Sequence, residues 1–295
     1  MNRRKMCMTA LLLLAPACQA GGSTPGSAEE PPALRHPESV VHGAGRHFVS
    51  NIGARLDPLG KDGDGFISEV DGQGSVIARH AFPPPGMTLD APKGMAIVDG
   101  VLYVADIDRV VGFSLEPPAQ VFEVVLERKT PVLLNDLEVE DGRRLLVSDT
   151  LGGCLLRLDL PTTTFTIVTC GIPGANGVAR VGGTAYVVGV GSRFEGGDLY
   201  EVSLASGVAR LIPGVHGILD GVAASQDGAL VISDWVSIDP PKVGRVIRFD
   251  PRDGTSTPIA SATPLEGPAD LSIDDTGRLW LPLTRRNQVE VSALP

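Results

Sequence analysis

Asp220-Gly221-Val222-Ala223, then Gln226-Asp227-Gly228, then Val231-Ile232-Ser233-Asp234 is the stretch that decides the fold. It reads as a polar loop residue, a short apolar strand, a tight turn on Asp-Gly and a second apolar strand ending in Asp. β-Branched residues favour strands, and Asp-Gly favours turns. Outward from this stretch, the same second strand recurs as Phe48-Val49-Ser50-Asn51, Tyr103-Val104-Ala105-Asp106, Leu146-Val147-Ser148-Asp149, Tyr186-Val187-Val188-Gly189 and Trp280-Leu281-Pro282-Leu283. The six copies are spaced by roughly 40 to 55 residues, the period of propeller blades.

Each repeat offers a third strand, and a fourth follows in all but the last. Gly65-Phe66-Ile67-Ser68-Glu69-Val70, Leu199-Tyr200-Glu201-Val202 and Val246-Ile247-Arg248-Phe249 serve as third strands, and Ser75-Val76-Ile77-Ala78 and Phe165-Thr166-Ile167-Val168 as fourth strands. The prediction is an all-β, six-bladed β-propeller with four-stranded blades. Regular spacing and matched registers favour it over a two-sheet sandwich. The last repeat stops after its third strand, near Val289-Glu290-Val291. An unpaired strand edge is a liability, so the segment near Ala33 to His36 is expected to supply the missing outer strand and close the ring.

Counting back 13 or 14 residues from each second-strand end gives one equivalent position per blade: Glu38, Lys93, Asn135, Asn176, Asp220 and Ala269. The register comes from the apolar strands, not from the residues compared. In a propeller the innermost strands line the channel, so these six positions converge at one mouth. Four of them carry oxygen donors, two carboxylates and two amides. Hard cations such as Ca²⁺ prefer such donors. Asn, Asp and Gly before strands are also ordinary turn formers, so the pattern alone leaves a structural role open.

In this ring the chain resembles the regucalcin/gluconolactonase family of six-bladed propellers. The motifs that carry the likeness are Pro37-Glu38-Ser39-Val40, Asn135-Asp136-Leu137, Ala175-Asn176-Gly177-Val178 and Asp220-Gly221-Val222-Ala223. The resemblance implies that Glu38, Asn135, Asn176 and Asp220 hold a divalent metal, calcium, on the propeller axis. It implies hydrolysis of a lactone or related ester, with Asp220 as both ligand and general base. Two departures bear on substrate. The family's arginine two residues before the first Asn is Leu133 here, and blade two places Lys93 at the mouth. Lys93 can hold an acidic substrate group, or pair with Glu38 or Asp220 and partly replace the metal. The alternative function is a non-catalytic propeller that binds a small molecule or protein at the same face.

The ends and the composition bound the setting. Met1-Asn2-Arg3-Arg4-Lys5 precedes an apolar run, Met8 to Ala17, that is too short for a bilayer span of about 20 residues. This pattern reads as a signal peptide over residues 1–17. Ala15-Pro16-Ala17-Cys18 resembles a bacterial lipobox, with Cys18 as the lipidated residue and residues 18–34 as a Gly/Ser/Pro-rich tether. The propeller spans residues 35–295. The expectation is a monomer exported to the periplasm or cell surface, touching the membrane only through its lipid. Removing Arg3, Arg4 and Lys5 takes the formal charge from −10 to −13, which argues against a nucleic-acid partner.

Cys154 and Cys170 flank the turn Pro161-Thr162-Thr163 and lie equally far from Thr162. A simple hairpin sets them opposite one another, within disulfide range. Asp62-Gly63-Asp64-Gly65 mimics part of an EF-hand loop, but position one is Gly60 and position twelve is Asp71, so it reads as a blade-one loop over a channel mouth. His216, four residues before Asp220, could reach the pocket as a proton carrier. The strand-ending Asp106, Asp149 and Asp234 are expected to fix the following turns.

Overall fold

The computed structural model describes residues 33–294. The expected signal peptide, the Cys18 lipidation site and all but the last two residues of the expected tether lie outside the described residues. The described residues form strands and no helix, in six antiparallel sheets that each follow chain order. The first strands of the blades are Pro37–Gly43, Pro92–Val98, Leu134–Asp141, Ala175–Val181, Leu219–Ala224 and the short Ser272–Ile273. They pack side by side in succession, which makes a ring of blades round a channel. The fold is a six-bladed β-propeller.

Apolar residues alternate along the strands and are buried as six wedges, one between each pair of neighbouring blades. Phe48, Phe82, Leu102 and Phe113 fill the wedge between blades one and two. Leu230, Ile232 and Phe249 meet Val188 and Leu199 between blades four and five. Flat faces packed in this way bury each sheet on both sides, so no single blade is stable alone.

Blade six departs from expectation. It has three strands, Ser272–Ile273, Arg278–Leu283 and Gln288–Ala293, and residues 33–36 form a bend instead of a fourth. The two backbone amides that a ladder would need are taken by side chains: Arg35 N donates to Asn51 Oδ1 at 2.8 Å, and His36 N to Asn287 Oδ1 at 2.7 Å. Leu34 inserts into the apolar wedge with Val40, Val49, Val70 and Trp280. The seam between blades six and one is thus closed by a buried plug. Hydrogen bonds from Asp270 N to Glu38 O and from Thr284 Oγ1 to Pro37 O complete it.

Candidate functional site

The first strands of blades one to five carry the same irregularity. Pairing with the second strand skips between Pro37 and Val40, Pro92 and Met95, Leu134 and Leu137, Ala175 and Val178, and Leu219 and Val222. Two residues of the first strand bulge there, and bulges re-aim side chains. The first of each pair is the ring residue: Glu38, Lys93, Asn135, Asn176 and Asp220. The second is Ser39, Gly94, Asp136, Gly177 or Gly221. The ring residues line one cavity of about 280 Å³. Ser39 and Asp136 line a separate cavity, with Asp270 of blade six.

The glycines allow the inner strands to close up. A Cβ on Gly177 would lie 2.5 Å from Asp220 O, and one on Gly221 would lie 2.5 Å from Leu271 N. On Gly94 it would lie 2.5 Å from the Asp136 Cα. The strand-ending acids anchor the loops on either side. Asp149 Oδ1 accepts from Gly152 N in the following turn, and from Leu133 N just ahead of Asn135. Asp234 Oδ1 accepts from Val236 N and Ile218 N. Asp106 Oδ1 accepts from Asp90 N and Ala91 N. These carboxylates therefore fix the entry to the inner strand, a role beyond the following turn that the sequence suggested.

Glu38, Lys93, Asn135, Asn176 and Asp220 are all buried. Four buried oxygens in the ring lack any hydrogen-bond partner: Glu38 Oε2, Asn135 Oδ1, Asn176 Oδ1 and Asp220 Oδ1. Unpaired buried polar atoms are rare because each costs the full desolvation penalty. Four of them, one from each of four blades and all acceptors, line a single cavity. That donor set fits a hard divalent cation. Only two of the four are carboxylates, and among the described residues no group of three or more His, Cys, Asp or Glu forms a metal cluster.

Burial raises the Glu38 carboxyl well above its ordinary range; nearby Asp220 adds to this and Lys93 opposes it. Burial also pushes Asp220 up to about 7, against hydrogen bonds from Trp235 and Asn176 that lower it. Trp235 Nε1 donates to Asp220 Oδ2 at 2.6 Å, so Oδ1 is the free oxygen. Lys93 is lowered by burial and held up by Glu38, Asp106 and Asp220. Its Nζ donates to Pro58 O at 2.9 Å and Ala91 O at 2.8 Å, and it forms no ion pair within 4.0 Å among the described residues. Lys93 therefore sits in the cavity with its amino group tied to two carbonyls, without a direct pair to Glu38 or Asp220.

Ala269 is buried just ahead of the blade-six inner strand and offers only backbone: its carbonyl accepts from Ser233 Oγ at 2.8 Å. The loop between the second and third strands of blade one, with Ile52, Leu56 and Pro58, overhangs the cavity. Its Asp64 is spent on Ala54 N. His216 lies in a neighbouring groove, 2.9 Å from Asp198, and does not line the ring cavity. Cys154 and Cys170 face one another across the third and fourth strands of blade three and are joined, S–S 1.99 Å. Sequence reasoning missed Trp235 and Arg285, which line the cavity from just past the second strands of blades five and six, and it missed the second acidic pair, Asp136 and Asp270. Asp136 had a signal: it stands where three other blades have glycine.

No family model matches this chain, and no curated protein matches it. Solved structures with the same fold do. A streptogramin B lyase aligns with a TM-score of 0.61 at 11% identity, covering 89% of this chain and 95% of that one. Kuenenia stuttgartiensis hydrazine synthase aligns with a TM-score of 0.62 at 14% identity, covering 92% and 80%. The WD40 β-propeller domain of Doa1 aligns with a TM-score of 0.61 at 12% identity, covering 88% and 79%. These neighbours include enzymes and a WD40 propeller domain, and at such identities the likeness is one of fold, a propeller that can host an enzyme.

Proposed function

We propose that this protein is a divalent-cation-dependent hydrolase of a lactone or related ester, exported and held at a membrane surface through Cys18. The observation that carries the reading is the set of four unpartnered buried oxygens on Glu38, Asn135, Asn176 and Asp220. Calcium is the cation that suits this donor set. Held by these four residues, such a cation would supply polarisation of a substrate carbonyl and a more nucleophilic water.

The chain's own groups do the rest. Asp220 is held through Oδ2 by the Trp235 indole, which leaves Oδ1 aimed at the cavity. Burial pushes the Asp220 carboxyl up to about 7 in the cation-free cavity; a bound dication would draw it down again and keep it ionised, the form that takes a proton. Asp220 accepts a proton from the attacking water as the water oxygen bonds to the carbonyl carbon. The proton passes to the alkoxide oxygen when the ester C–O bond breaks. The overhanging blade-one loop and the apolar cavity wall exclude bulk water, which strengthens the charge interactions inside. Lys93 presents its amino group beside the reacting centre, tied to Pro58 O and Ala91 O.

The test is the mature domain melted with calcium and with chelator, followed by a lactone and ester panel in both states. Calcium at a hundred times its Kd stabilises by about 2.7 kcal/mol, a rise of roughly 5–10 °C for a domain of this size. Asp220→Ala abolishes both this shift and hydrolysis. A melting temperature indifferent to calcium, chelator and Asp220→Ala ends the hydrolase reading and leaves a ligand-binding propeller.

A further inference from the structure

We propose that Arg285 is the specificity residue of the ring cavity, and that the bound molecule carries a carboxylate on an apolar body. Arg285 follows the second strand of blade six and lines the cavity that holds the oxygen ring. Among the described residues it forms no ion pair within 4.0 Å. Its one side-chain hydrogen bond runs from Nη2 to Ile238 O at 3.1 Å, and its Nε is buried without a partner. Most other arginines of the propeller are spent on carboxylates, as in Arg46 with Glu69, Arg157 with Glu140 and Arg278 with Asp274. Arg35 and Arg79 also have an unpartnered Nε, but neither lines this cavity.

The guanidinium is positioned, not loose. Its carbon lies 5.4 Å from the centroid of the Trp235 ring. Gly267, at φ +69°, makes room for the pair: a Cβ there would lie 3.0 Å from the Trp235 ring and 3.2 Å from Arg285 Cγ. A partly desolvated cation without a counter-charge is costly. A planar fork with free N–H groups suits a carboxylate in two-point contact. Ile52, Leu56, Leu133, Val190, Phe194 and Ile218 line the rest of the cavity, so the body of the ligand is apolar and a polyhydroxylated ring is a poor fit. Where the resemblance expects an arginine just before Asn135, the chain has Leu133, and the positive charge comes from blade six instead. In the proposed hydrolase this selects an ester or lactone bearing a carboxylate; that deepening rests on the hydrolase reading, whereas the anion preference does not.

The experiment titrates the mature protein with phenylacetate and with its neutral amide, phenylacetamide, in chelator at pH 6. Trp235 fluorescence reports occupancy, since the only other tryptophan, Trp280, is fully buried in the blade-six wedge. Phenylacetate is expected to bind at least about tenfold tighter than the amide, the worth of one charge-assisted contact. Arg285→Gln should erase that preference, and Arg285→Lys should retain part of it. Equal affinity for the two probes, no binding of phenylacetate, or a preference that survives Arg285→Gln and vanishes in Lys93→Met overturns the assignment. If the preference depends on Arg285 but calcium neither binds nor stabilises, the anion site stands and the hydrolase reading falls.

Discussion

Lowering the pH from 7.5 to 5.5 should strip the proposed cation from the ring, and Asp220 sets the size of the effect. Burial pushes its carboxyl up to about 7, so a cation competes with a proton for the same oxygen. At pH 7.5 about three-quarters of Asp220 is ionised and at pH 5.5 about 3%, so the apparent calcium affinity falls about 25-fold. Glu38, also raised by burial, steepens the fall. The cation-free protein behaves oppositely. A carboxyl raised from 3.8 means that the fold binds the proton more tightly than the unfolded chain does. Stability from that group is full below about pH 4 and is lost as the pH rises towards 7, by an amount on the order of 4 kcal/mol. Calcium should reverse that loss. Calorimetric titration at both pH values, in buffers of different ionisation enthalpy, measures the affinity and counts the protons released. Trp235→Phe removes the N–H that favours the ionised form, so the pH midpoint should move up by about one unit. A calcium affinity constant within twofold across this range would refute Asp220 as the ligand.

The packing of the inner strands makes its own predictions. Gly177→Ala puts a methyl 2.5 Å from Asp220 O and should cost about 1–3 kcal/mol in denaturant unfolding. Gly183→Ala, with nothing within 4 Å, should be neutral in the same assay. Replacing Cys154 and Cys170 by Ala frees a loop with a sequence separation of 16; the expected loss is about 3 kcal/mol, seen as a melting point lower by roughly 6–12 °C.

The blades and the ring were legible because both rest on local patterns. Six short apolar second strands fix the register, and a fixed register assigns Glu38, Asn135, Asn176 and Asp220 to one mouth. The pairing of Cys154 with Cys170 was readable for the same reason, since a hairpin register follows from its turn. What escaped depended on distant parts. Trp235 and Arg285 come from different blades, and they meet beside Gly267, which no periodicity singles out. Residues 33–36 read as a strand from the sequence because the last repeat ends on an open edge, yet they form a bend. Instead, the side chains of Asn51 and Asn287 take the two amides and Leu34 plugs the wedge, contacts that come from residues far along the chain.

The plug has a mechanical consequence. In a closed ring every wedge but one is bridged by the chain running from blade to blade. The wedge between blades six and one has no such bridge: it is held by side-chain packing round Leu34 and Trp280 and by hydrogen bonds, and it flanks the one blade with three strands. Tension applied to the chain from its N-terminal side reaches the propeller first at this seam. Under load the ring should unzip there, blade one peeling from blade six while the other five wedges hold, and the unfolding force should drop when Leu34 is shortened to Ala.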